Sequence, residues 1–189
     1  MKTIVFSFVF VLISLTSGLT AQEAPATTTL TPGTKISWDL SLGYPFNITV
    51  NSLKPNFAFS WDMGEGATGN VTINGKALKK ATKMIDYFEK GTDITMEDQT
   101  TVMFSKALYK KMKAGGSAEM TLDGVSQTMK FMKKEKMAVS VNGTGQSLDV
   151  LYAETDKNCK FWIWDNAATP LILKMELGWS LTIQSITTN

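Results

Sequence analysis

The chain has 189 residues, 43% of them hydrophobic, with 19 basic against 17 acidic side chains, a formal net charge of +2 and no histidine. Every basic residue is a lysine, and Cys159 is the one cysteine. These absences exclude Ser-His-Asp and Cys-His catalysis, histidine metal ligation, an imidazole switch, bidentate arginine recognition of phosphate and an intrachain disulfide.

The chain opens MKTIVFSFVFVLISLTSGLTAQEAP. Lys2, the apolar run Ile4 to Leu15 and the small residues after it predict a signal peptide over residues 1–21, cleaved after Ala21. That run is shorter than the about 20 residues that span a bilayer. The expectation is an exported, soluble protein of the periplasm or the extracellular space, with no transmembrane segment after signal removal. Residues 22–33 (QEAPATTTLTPG) are rich in Thr and Pro and predict a flexible leader. Residues 34–189 are long enough for a single β-rich domain with its own core.

From residue 36 the pattern has a period of two. Ile36, Trp38, Leu40 and Leu42 alternate with polar residues. So do Phe46, Ile48 and Val50, then Phe57, Phe59, Trp61 and Met63, then Val71 and Ile73. Each run predicts a strand with one apolar face. Asn74-Gly75 then reads as a turn or a helix cap. Ala77, Leu78, Ala81, Ile85 and Phe88 share one helical face, which predicts a helix over 76–90 ended by Gly91. Ser105 caps a second predicted helix, KALYKKMKA, with Phe104, Ala107, Leu108 and Met112 as its apolar line and Gly115-Gly116 as its stop.

Strands resume with Met120 and Leu122, then Met137, Val139 and Val141, then Leu148, Val150 and Tyr152. Asp123-Gly124 and Asn142-Gly143 between them are hairpin dipeptides. Cys159 reads as a half-buried structural thiol rather than a reactive one. Phe161 to Trp164 is apolar on both faces, so Trp162 and Trp164 belong either to a covered core or to a pocket. From Leu171 to Gln184 the odd positions are apolar and the even ones, Ile172 apart, polar or glycine. A straight strand of that length would reach roughly 46 Å, so a bend is expected at Gly178, with Trp179 in the core. The whole predicts an α+β fold. A predominantly antiparallel, strongly curved β-sheet of about 8–10 strands is covered on its apolar face by two mid-chain helices.

Little in the sequence carries chemistry. No nucleophile or phosphate-loop motif is present, no catalytic residue is assigned, and no cofactor or metal is expected. Asp62 and Glu65 sit in a glycine-rich turn that is sparse for calcium, and Glu97-Asp98 is an acid pair of the kind chance produces. Between residues 76 and 136 there are 13 lysines against 8 acids. They read as solvated faces or as a basic patch toward anionic lipid or glycan. Nucleic acid is excluded by the predicted export and by the lack of an arginine-aromatic motif. Asn47, Asn70 and Asn142 stand in Asn-X-Thr sequons.

The closing stretch PLILKMELGWSLTIQSI, preceded by WIWDNAA, resembles an uncharacterised family of exported, Bacteroidetes-like bacterial envelope proteins. The GKALKKA helix after its Asn-Gly turn is similar too. The resemblance implies an envelope protein and no catalytic residue. In outline, a curved sheet backed by helices is also similar to periplasmic lipoprotein-carrier folds, a likeness of architecture alone. The first functional expectation is a non-catalytic exported protein that binds an envelope lipid, a glycan or a protein partner. The alternative is a carrier holding an apolar, lipid-like ligand between sheet and helices, with Trp162, Trp164, Met175 and Phe88 as ligand-binding candidates. A hydrolase ranks third.

Overall fold

Four strands form an antiparallel meander in the computed structural model, which describes residues 28–189. They are β1 (Lys35–Leu40), β2 (Pro45–Ser52), β3 (Phe57–Asp62) and β4 (Thr68–Ile73). Their inward side chains are the alternating apolar set, from Ile36 and Trp38 through Phe46, Ile48, Phe57, Phe59 and Trp61 to Ile73, all buried. Leu42 departs from the expectation. It lies in the β1–β2 turn and is 58% exposed. The predicted signal segment and residues 22–27 fall outside the described residues. Residues 28–33, read as leader, are tied down: Leu30 is buried, Thr28 Oγ1 bonds Gln146 Oε1 (3.0 Å), and Gly33 N–H donates to Val50 O (2.7 Å).

The first helix is much shorter than its pattern suggests. It covers α1 (Gly75–Lys80), where Asn74 Oδ1 accepts the Ala77 N–H at 2.8 Å. Asn74-Gly75 therefore caps a helix and does not turn a hairpin. The chain leaves the helix at Ala81 because its next backbone groups find sheet partners. Thr82 O accepts from Thr121 N, and β5 (Lys83–Met84) pairs in parallel with both β7 (Gln99–Thr100) and β8 (Ser117–Leu122). Tertiary pairing outweighs helix propensity over β-branched Thr82. Met84 is then buried in place of Ile85. Residues 85–90 cross as a strap without regular structure before β6 (Asp93–Met96) joins β4 in parallel.

The second helix forms as expected, α2 (Lys106–Lys113), with Ser105 Oγ accepting the Leu108 N–H. Leu108, Tyr109 and Met112 face the core. Tyr109 donates its hydroxyl proton to Asp165 (2.7 Å) and Lys113 pairs with the same carboxylate, which ties the helix to the end of β11. Burial raises that carboxyl's pKa, but the bonds from Lys113 and Tyr109 outweigh burial and hold it below the usual range.

The second half is a run of hairpins. They comprise β8, β9 (Val125–Val141), β10 (Thr144–Thr155), β11 (Lys160–Trp164), β12 (Ile172–Glu176) and β13 (Ser180–Thr187). Asp123-Gly124 and Asn142-Gly143 both hold two positive φ values in sequence, the requirement of a type I′ turn. The predicted long closing strand is two strands. The chain reverses at Gly178 (φ 94°), Leu177 N–H donates to Trp179 O, and Lys174 stands opposite Thr182. Odd positions Leu173, Met175, Leu181 and Ile183 stay buried through the reversal. Parity alone therefore could not separate a bend from a hairpin.

The strand order is β6-β4-β3-β2-β1-β13-β12-β11-β10-β9-β8-β5-β7, thirteen strands against the 8–10 expected. Most neighbours are antiparallel, so the α+β class with a mostly antiparallel sheet stands. The sheet is not a barrel, although Ser185 and Ile186 of β13 also pair in parallel with Ser140 and Val141 of β9. Among the described residues no helix is long and apolar enough to cross a membrane.

Candidate functional site

The strap crosses the inner face of the sheet, and its Phe88 is the anchor. The Phe88 ring stacks on Trp61 (centroids 5.4 Å, 23°) and Phe46 (5.8 Å, 24°) and meets Phe59 edge-on at 6.3 Å. These rings come from β2 and β3, where alternation turns every second aromatic inward. Gly69 on β4 allows the stack to seat. A Cβ there would lie 2.8 Å from the Trp61 indole nitrogen and 2.6 Å from Thr92 O.

Beside this anchor is a cavity of about 260 Å³. Its walls come from β1 and β2 (Leu40, Phe46), the strap (Ile85, Phe88), and β12 and β13 (Met175, Leu181). Its mouth is apolar as well. Leu42 and Tyr87, both lining residues, are 58% and 60% exposed. Val102, another lining residue, holds φ 51°, a conformation that β-branched side chains rarely adopt. Its carbonyl accepts the Ile172 N–H at 2.8 Å, which pins the strained turn against β12.

Among the described residues that line it, Asp86 is the one that can carry a charge. Its N–H donates to Asp123 Oδ1 at 3.1 Å. Partial burial, then the hydrogen bond and charge of the Asp123 carboxyl, push the Asp86 pKa up to about 7. A second hollow of about 370 Å³ lies between the starts of α1 and α2 and Pro170. Its floor, Phe57, Met103 and Phe104, belongs to the packed core, with Phe104 against Phe161 at 5.4 Å, and its lip carries Lys54, Lys79 and Lys106.

Of the four residues singled out from sequence, Phe88 and Met175 meet in the cavity wall. Trp162 and Trp164 do not line it. Phe161 and Ile163 take the inward places on β11, so Trp162 faces outward. There it stacks on Tyr152 (4.7 Å), lies under Lys174 Nζ (4.4 Å) and donates its indole N–H to Glu135. Tyr152, expected on the inner face, points out because inward parity on β10 slips from Val150 to Leu151 and Ala153, beside a register shift at Tyr152/Ala153. Trp164 is 6% exposed and belongs to the core. Sequence reasoning missed Asp86, Tyr87 and Leu42 and placed Trp179, a lining residue, in the core. A signal was present in MIDYFEK, whose Tyr87 and Asp86 sit among apolar residues, but helical period hid it.

The remaining sequence candidates do not assemble a reactive centre. Asp62 Oδ1 accepts from Gly64 N (2.7 Å) in a local turn, and Asp98 pairs with Lys83 (2.7 Å). Among the described residues no cluster of three metal-ligating side chains is found. Asn70 bonds Asp93 and Ser60, and Asn142 bonds Thr188. No family model, curated protein or solved structure matches the chain.

Proposed function

We propose that the protein is a non-catalytic, exported carrier that holds an apolar, lipid-like ligand between the curved sheet and the 85–90 strap. The observation that carries this reading is the cavity. It is close to the lower size of ligand sites, about 300 Å³, and its lining is apolar and aromatic apart from Asp86 and Thr101. A hollow so lined, left to water, is costly. Burying a ligand's apolar area there contributes about 25 cal/mol per Å². The exposed Leu42 and Tyr87 at its mouth support the same reading. The apolar run of residues 4–15 behind Lys2, read as a signal segment, supports export. Native mass spectrometry of protein purified from its own host tests the proposal. A co-purifying lipid, or saturable displacement of a neutral apolar dye, is expected; a bare chain that binds no dye overturns it.

A second reading is docking onto an anionic envelope component, a lipid surface or glycan. One observation favours it. Lys113 of α2 and Lys134 of β9 both act on Asp165, so the basic faces of helix and hairpin converge. Sedimentation with anionic vesicles tests it, with Lys110→Glu and Lys134→Glu expected to abolish a salt-sensitive association. Binding that survives both changes removes this reading.

A further inference from the structure

We propose that the cavity discriminates among amphiphiles by head group, taking cationic or uncharged ones over carboxylates, with Asp86 at the rim as the selecting group. The inference rests on the cavity being the ligand site.

An apolar wall cannot tell one long chain from another by charge, because it has none. Selectivity must come from whatever polar group stands where the ligand's head meets water. Among the described lining residues the group that can carry a charge there is Asp86, half-buried on the strap beside the neutral Tyr87 phenol. It is not alone in sign. The Asp123 carboxylate, from the β8–β9 turn, accepts the Asp86 backbone N–H at 3.1 Å and is the charged side chain found acting on Asp86. Among the described residues no lysine lines the cavity. A carboxylate head seated at this rim would be a third carboxyl group in one partly desolvated place, where like charges repel far more than in open water. An ammonium head would meet the Asp86 carboxylate, with the charge of Asp123 beside it, and a hydroxyl head would find an acceptor without a charge conflict.

The rest of the molecule is biased the other way. The chain as a whole is positive, with a formal net charge of +2. Long-range attraction therefore favours anions, and a preference for cationic heads would have to arise locally at the rim.

The test uses three straight-chain compounds of equal length, dodecylamine, dodecanol and dodecanoate, all below their aggregation concentrations, at about pH 8 where the amine and the acid are charged. Each competes with the neutral dye N-phenylnaphthylamine for the wild-type chain. Dodecylamine is expected to compete at least about tenfold better than dodecanoate, with dodecanol between them or equal to the amine. Asp86→Asn should shrink the amine-to-carboxylate ratio several-fold. Asp123→Asn, which keeps a residue tolerant of the turn's positive φ, should shrink it less and serves as the second variant if the first fails to fold. A wild-type ratio near one, or a ratio unmoved by both changes, overturns the head-group inference and leaves the cavity reading intact. Failure of all three compounds to displace the dye, or of the dye to bind, overturns the cavity reading and this inference with it.

Discussion

Two aromatic clusters sit on opposite faces of the same sheet, and they differ in how completely their neighbours satisfy them. The inner one gathers Phe88, Trp61, Phe46 and Phe59 next to an apolar hollow. The outer one pairs Trp162 with Tyr152, then closes over both with Lys174, Lys133 and Glu135. Outside, ring faces carry ammonium groups and the indole N–H has a carboxylate acceptor. Inside, rings and methionines border empty space, and the strap that closes it is held by the Phe88 stack and by the backbone bonds of Ile85 to Thr100 and Asp86 to Asp123. Aromatic content is thus a poor guide to a binding surface; unfilled apolar volume is a better one.

The largest expected effect tests the inner cluster. Phe88→Asp removes the ring from its stack and places a charge in the lining. Affinity for a neutral apolar dye should fall more than about tenfold, measured by fluorescence titration. The matched change outside, Trp162→Ala, should lower stability by roughly 1–2 kcal/mol through lost stacking and cation–π contact, read from urea unfolding. Dye affinity should stay within about twofold. A Trp162 variant that loses binding would break the comparison outright.

Asp86 sharpens it further. Its folded pKa of about 7 lies above the ordinary 3.8. The folded chain therefore favours the protonated form. This contribution to stability is full below the ordinary value and is lost as pH rises through about 7. Because the group is half-exposed, screening reduces the effect to about 1 kcal/mol. Asp86→Asn should match the wild type near pH 4 and exceed it by that amount near pH 8, measured by paired thermal melts. Equal melts at both values would remove the account of the strap's electrostatics. The smallest effect is spectroscopic. Trp179 lines the cavity and Trp162 does not, so Trp179→Phe should abolish most ligand-induced change in tryptophan emission while Trp162→Phe leaves it.

Half of the residues singled out from the sequence belong to the candidate site. Met175 and Phe88 stand out by period and by size, and both line the hollow. Trp162 and Trp164 are as prominent in the sequence, yet one turned outward and the other packed. On β11 Phe161 and Ile163 take the inward places, which turns Trp162 out, while Trp164, past the register shift at Trp162/Ile163, is buried as well. Asp86 could not be seen as special because its partner Asp123 is 37 residues away, across a turn.

The sequence by itself determined the pleated ribbon. Side chains two apart share a face, so Ile36 and Trp38, Phe46 and Ile48, Phe57 and Phe59 go to the interior together. It also determined α2, whose Ser105 cap and glycine stop are local signals. Tertiary structure alone decided the rest. It cut the first helix at Lys80 by offering Thr82 and Lys83 sheet partners from β7 and β8, and it turned one long alternating run into β12 and β13. The freed strap is what leaves the cavity open. Local period fixes which way a side chain points; which backbone finds a distant hydrogen-bond partner depends on segments that only the folded chain brings together.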